Sequence, residues 1–186
     1  YKRQIQVQRG LGASALGISS VGGTMNMVTK STEAQKGGSA YFGIGNDGFR
    51  KYSVSFSTGL MDNGWAITFM GALNTGDGYV KGTNYEGWTY FGNISKVIND
   101  HHKLSLTAFG APQWHNQRST MHYIEDYKNS PDGGRFNNGY GYINGEAVGS
   151  GYGYNYYHKP QVSLNHYWTI DEKSTLTTSL YLSLIH

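Results

Sequence analysis

Between positions 37 and 185 apolar and polar residues alternate with a period of two in seven separate runs. From Gly37, Ala40, Phe42 and Ile44 fall on one face, and Tyr41, Gly43 and Gly45 on the other. Lys51 to Leu60 sets Val54 and Phe56 against Ser53, Ser55 and Ser57. In Trp65 to Leu73 the residues Trp65, Ile67, Phe69 and Leu73 oppose Ala66, Thr68, Met70 and Ala72. Trp88 to Val97 alternates less cleanly, and Lys103 to Ala111 aligns Leu104, Leu106 and Ala108. Gln161 to Ile170 and Ser174 to Ile185 complete the set. Successive side chains on a strand point to opposite faces, so each run predicts a half-buried strand. The runs are close to the ~9–11 residues that carry a tilted strand across a bilayer.

The punctuation predicts how these strands connect. Asn46-Asp47-Gly48 and Asp62-Asn63-Gly64 are tight-turn signals, and Asn99 to His102 and Asp171 to Lys173 are short as well. Asn74 to Gly87 and Gln113 to Lys159 are long and lack a sustained period. Pro112 is expected to weaken the ladder of the strand before it. Short connections at one end and longer ones at the other are the arrangement of outer-membrane barrels. A soluble sandwich alternates too, but has no reason to sort its loops by end. Trp65, Trp88 and Trp168 lie near turns or strand ends, where interfacial aromatic girdles sit.

Composition narrows the class. Of 186 residues only 38% are hydrophobic, yet 15% are aromatic, including 16 tyrosines. Disordered chains are poor in aromatics, so the chain should fold. No run of about 18 apolar residues exists, which excludes a membrane helix from the sequence. Zero cysteines exclude a disulfide framework and a thiolate metal site. A net charge of +3 gives no case for nucleic acid as a partner. Tyr1-Lys2-Arg3 does not open a leader, and Leu184-Ile185-His186 ends without a turn, so we expect an internal piece of a longer chain.

Residues 4–30 carry a different signal. Gln4 to Gln8 alternates and runs into Arg9-Gly10, followed by small residues; Gly22-Gly23 then opens a second extended segment through Asn26 to Thr29-Lys30. This pattern closely resembles the end of the plug domain in TonB-dependent outer-membrane receptors. Leu16, Met25 and Met27 depart from the family's usual Tyr and Ile but stay apolar. Phe109-Gly-Ala-Pro-Gln113, His115, Gln117-Arg118 and Tyr157-His-Lys-Pro-Gln-Val-Ser-Leu-Asn-His166 resemble a later hairpin of the same receptors. Ser183 to His186 departs from the Gly-rich segment that usually follows there.

The resemblance implies an all-β chain: residues 1–30 as the C-terminal part of a plug, 31–37 as a linker, and 38–186 as about seven strands of a large antiparallel transmembrane β-barrel. It implies an extracellular loop over 113–159. The implied function is TonB-dependent transport of a scarce nutrient, such as an iron chelate, a cobalamin-like cofactor or a saccharide, across the outer membrane of a Gram-negative bacterium. The implied partners are outer-membrane lipid, the nutrient, and the energy transducer TonB, reached through a segment upstream. Arg9, Gly10, Gly22, Gly23, Asn26, Thr29 and Lys30 would form the plug motif, with Arg9 where family plugs anchor to barrel carboxylates. A passive porin or adhesin barrel, or a soluble carbohydrate-binding β-protein, stands as the alternative.

Candidate chemistry points to binding. His101 and His102 are adjacent on extended chain and point to opposite faces, which a single metal rarely bridges. Glu125-Asp126 are sequence neighbours, which seldom converge on one bond, and no nucleophile-elbow, zinc-protease or phosphate-loop motif occurs. We therefore expect no enzyme, no metal site and no cofactor. The 113–159 segment concentrates Trp114, His115, Arg118, His122, Tyr123, Arg135, Tyr140 and Tyr154, a set able to grip a ligand. Tyrosines supply contact area at low entropic cost and arginines pair with anions. The expectation is a mobile loop that orders on its ligand. Ile67, Phe69, Leu104, Leu106, Val162 and Leu164 are expected to face lipid.

Overall fold

The computed structural model describes residues 4–9, 23–28, 34–118, 121–144, 146–148 and 154–184. Its strands are β1 (Gln4–Arg9), β2 (Gly23–Val28), β3 (Gly37–Ile44), β4 (Arg50–Leu60), β5 (Trp65–Gly76), β6 (Tyr85–Val97) and β7 (His102–Gly110). They continue with β8 (Gln113–Asn116), β9 (Gly141–Ile143), β10 (Glu146–Val148), β11 (Tyr154–Tyr157), β12 (Gln161–Thr169) and β13 (Thr175–Ser183). A short helix, α1 (Ile124–Asn129), and a 3-10 turn (Gly133–Arg135) lie between β8 and β9. The fold is predominantly antiparallel β.

β1 and β2 pair as an antiparallel hairpin that sets Arg9 opposite Gly23 and Gln6 opposite Asn26. The two glycine-marked segments of the sequence are thus brought side by side. Gly10, Gly22, Thr29 and Lys30 lie outside the described residues.

The main sheet is a meander in the order β13-β12-β7-β6-β5-β4-β3. Within the described residues it is open, with β3 and β13 at its edges. Connections 61–64, 98–101 and 170–174 lie at one end; 45–49, 77–84 and 117–153 lie at the other. The loop sorting expected from the sequence is therefore present. Asp47 and Gly48 both take positive φ (54° and 70°), and Phe49 N–H donates to Asn46 O (3.1 Å), as a type I′ hairpin turn requires. At the opposite end Lys173 N–H donates to Asp171 Oδ1 (2.8 Å). That bond, aided by the Ser174 side chain, holds the Asp171 carboxyl below the usual carboxylate range.

Gly64 has φ +78°, and a Cβ there would stand 2.6 Å from Val97 O. Gly64→Val should therefore lower stability by more than about 2 kcal/mol, since the left-handed region alone costs an L-residue ~1–2 kcal/mol. The readout is the folded fraction by heat-modifiable electrophoretic migration.

Register defines two unlike faces. One cross-strand row runs Ile67–Ile94–Leu106–Leu164–Leu180, and the next runs Phe56–Phe69–Gly92–Ala108–Val162–Leu182. The large side chains of both rows are exposed. The opposite face carries Ser53, Ser55, Ser57, Thr68, Asn93, Ser95, Ser105, Thr107, Ser163 and Asn165. Of these, Ser57, Asn93, Ser95, Ser105 and Thr107 are buried, whereas Ala66 is the one buried hydrophobic residue among those described. Asn93 Nδ2 donates to Ser105 Oγ (2.9 Å) and Thr107 Oγ1 (2.7 Å), and Ser95 Oγ donates to Asn93 Oδ1 (2.8 Å). Polarity is thus inverted relative to a water-soluble sheet: hydroxyls and amides are covered and aliphatics are bare. The apolar face spans roughly 30 Å across its strands and 25 Å along them, from ordinary strand spacing and rise. That exceeds the few hundred Å² a soluble monomer usually leaves bare. No helix among the described residues is long and apolar enough to cross a membrane.

The expected long loops differ from the structure at their roots. β5 runs on to Gly76 and β6 starts at Tyr85, so the connection is 77–84 rather than 74–87. Pro112 does not end its ladder either. Its carbonyl accepts Trp88 N–H (2.8 Å), and β8 continues the β7 register against β6. On the other side β11 continues the β12 register, so that Gly110–Pro112 stand opposite His158–Pro160. Each proline lacks an N–H, and placing the two interruptions opposite one another confines the lost bonds to one stretch.

Candidate functional site

At the long-loop end of the polar face lies a recess of ≈ 560 Å³. Two cross-strand rows build it: Asn74–Gly87–Gln113, and above it Gly76–Tyr85–His115. These rows fall on the Ser/Thr face because strand alternation continues unbroken from the sheet below. Phe49, Thr83, Glu86, Trp114 and Asn116 complete the wall. The space exists because glycine occupies the middle of the first row. A Cβ at Gly87 would meet only Gln113 Cβ, at 3.7 Å. The Tyr85 ring lies over Gly76, which leaves no room there for a side chain. Asn116 Nδ2 donates to Asn84 Oδ1 (2.8 Å), tying the rim to the 77–84 connection. Among the described residues the side chains of Asn74, Gln113 and His115 make no hydrogen bond within the protein.

Of the sequence candidates, His115 and Trp114 line this recess. Trp114 and Tyr154 stack on each other (6.1 Å, 23°), but their strand positions belong with Glu86 and Tyr156 on the apolar face. With Trp88 and Tyr90 they form an aromatic row at the long-loop end of that face, while Trp65 and Trp168 mark the short-turn end. Trp88 Nε1 donates to Glu86 Oε1 (2.8 Å), and Tyr90 Oη meets His158 Nε2 (3.1 Å). Such rims suit rings with an apolar body and a polar tip.

The remaining candidates sit in the long loop, whose described residues make several contacts among themselves. His122 packs edge-on against Tyr127 (5.9 Å) and Phe136 (5.1 Å), and Arg118 lies over the Tyr127 ring (5.3 Å). Tyr123 caps α1 through its N–H to Asp126 Oδ2 (3.0 Å) and is 83% exposed. Tyr140 packs beside Gly82. Arg135 is committed to protein: it pairs with Asp47, donates to Tyr79 O (3.2 Å) and covers the Tyr79 ring (4.7 Å). Lys81 pairs with Asp132, and Asn137 Nδ2 donates to Lys81 O (2.7 Å). Segment 132–137 is therefore docked on the 77–84 connection and the first hairpin turn. Arg135→Ala should speed proteolysis within the loop several-fold while costing the sheet less than ~1 kcal/mol, since the ion pair is partly exposed. Limited digestion followed by mass mapping checks both.

Asn74, Tyr85, Gly87 and Gln113 escaped the sequence reading because their strands were assigned to loops, so no face could be given to them. No group of three or more metal-ligating side chains converges among the described residues. No protein-family model matches the chain, and no curated protein matches it.

Proposed function

We propose that this chain belongs to a TonB-dependent receptor of the Gram-negative outer membrane, which imports a scarce nutrient. The observation that carries the reading is the inverted sheet, bare on its aliphatic face, covered on its hydroxyl face, and with its long connections gathered at one end. Closed into a barrel by further strands, the aliphatic rows meet lipid and the Ser/Thr face lines the interior. The aromatic rows at both ends then sit at the two bilayer interfaces. The β1–β2 hairpin, which pairs Arg9 with Gly23, supports a plug at the start of the chain, as the sequence motif implies. The recess opens at the end that would face outside, where ligand is captured before transport. Binding and passage, with no bond chemistry, are the task of these residues.

The test uses the full-length protein in its own organism. It should fractionate with the outer membrane, and uptake of its nutrient should stop when TonB is deleted. Recovery in the soluble fraction without detergent would refute the membrane reading. Uptake that persists without TonB would make the protein a passive pore.

A further inference from the structure

The recess between β5, β6 and β8 also has a chemical preference, and we infer that it takes an uncharged polyhydroxylated unit, a sugar ring of a neutral oligosaccharide. The inference rests on the transport reading and names the ligand class of the same receptor.

The wall offers two amides, Asn74 and Gln113, and one imidazole, His115, unengaged by protein. An amide carries both a donor and an acceptor on one plane, the complement of a hydroxyl, which also donates and accepts. Tyr85 and Phe49 add ring surface for the apolar edge of a sugar. A pocket with a few converging polar groups on an otherwise apolar and backbone lining is the usual form of a small-ligand site.

Charge argues the same way. An anionic chelate needs cations, and among the described residues those near the recess are turned elsewhere. Arg135 is held by Asp47 and Lys81 by Asp132. Arg118 covers Tyr127. Lys51, the cross-strand neighbour of Asn74, directs its ammonium toward the Tyr41 ring (6.0 Å), on the far side of β4. Arg50 pairs with Thr75 in the row that belongs to the apolar face. Among the described lining residues the one charged group is the Glu86 carboxylate, which repels an anion, whereas a neutral polyol can use the amide and phenol donors and acceptors without a counter-charge.

Gly87 supplies the test. Its φ is not in the left-handed region, and its Cβ position is open, so Gly87→Val fills the recess without straining the strand. The full-length receptor and this variant would be purified in detergent, checked for heat-modifiable migration, and titrated calorimetrically. The probes are neutral glucan, xylan and mannan oligosaccharides, and a ferric tris-catecholate. The expected result is that at least one neutral oligosaccharide binds the wild type. Its affinity should fall at least tenfold in Gly87→Val and three- to tenfold in Gln113→Ala, with migration unchanged. Binding of the ferric chelate alone, or of no neutral oligosaccharide, would overturn the ligand class. Saccharide affinity unaffected by Gly87→Val would overturn the placement of the site. None of these outcomes alters outer-membrane location or TonB dependence, which are measured separately.

Discussion

Leu106→Arg should destabilise the full-length barrel by about 2–4 kcal/mol when unfolding by urea is followed in phospholipid vesicles, the cost of a cation near mid-bilayer on a lipid-facing strand. Leu106 stands in the middle of the row Ile67–Ile94–Leu106–Leu164–Leu180; the apolar row Phe56–Phe69–Gly92–Ala108–Val162–Leu182 flanks it toward the long loops, and the mixed row Trp65–Lys96–Leu104–His166–Thr178 toward the short turns. It is 43% exposed in the chain. In a soluble sheet an arginine at so open a position would be close to neutral, because surface substitutions seldom exceed ~0.5 kcal/mol. The two readings thus differ by several-fold in a single measurement. A change below ~0.5 kcal/mol would place Leu106 in water and remove the membrane-facing assignment.

Asn93→Leu is the complementary experiment on the opposite face, with an expected loss of about 3 kcal/mol. Asn93 is hydrogen-bonded to Ser95, Ser105 and Thr107, and all four residues are buried. Leucine would remove one hydrogen bond from each of three hydroxyls at roughly 1 kcal/mol each, leaving Ser95 and Ser105 bonded to each other and Thr107 without its amide partner, in a site too covered for water to replace it freely. Thr107→Val measured alone and combined with Asn93→Leu isolates the Asn93–Thr107 term by a double-mutant cycle. If this face lay against lipid instead, Asn93→Leu would stabilise the protein. The effects expected at positions 93 and 106, on neighbouring strands and opposite faces of one sheet, together fix which way the sheet faces.

The strands of the sheet were legible because alternation survives wherever one face must be aliphatic and the other polar. Ile67 and Leu106 declare their face by type alone. The signal fades above the aromatic row, where neither face need be aliphatic. β8 reads Gln-Trp-His-Asn and β11 reads Tyr-Asn-Tyr-Tyr, and neither carries an apolar stripe. Prolines at 112 and 160 further disguise the continuation, since proline ordinarily marks the end of a ladder. His115 was chosen for its chemistry and lands in the recess. Its companions Asn74 and Gln113 were not chosen, because amides in an apparent loop carry no distinguishing mark. The docking of Arg135 on Asp47 joins residues far apart in the chain, and no local pattern could announce it. The proposed transport function rests on the motif resemblance and on the polarity of the sheet together.

The facing interruptions at Gly110–Pro112 and His158–Pro160 bear on how such a chain can change over generations. Below them, the wall carries an aliphatic face and a buried hydroxyl network at once, so few substitutions are neutral. Above them, the β8–β11 ribbon is joined to the wall through a stretch already short of backbone bonds. Length changes between 117 and 153 are absorbed at that joint rather than transmitted as a register slip, which would turn every side chain of β12 to the wrong face. The ribbon beyond the prolines can therefore vary while the strands below it keep their register.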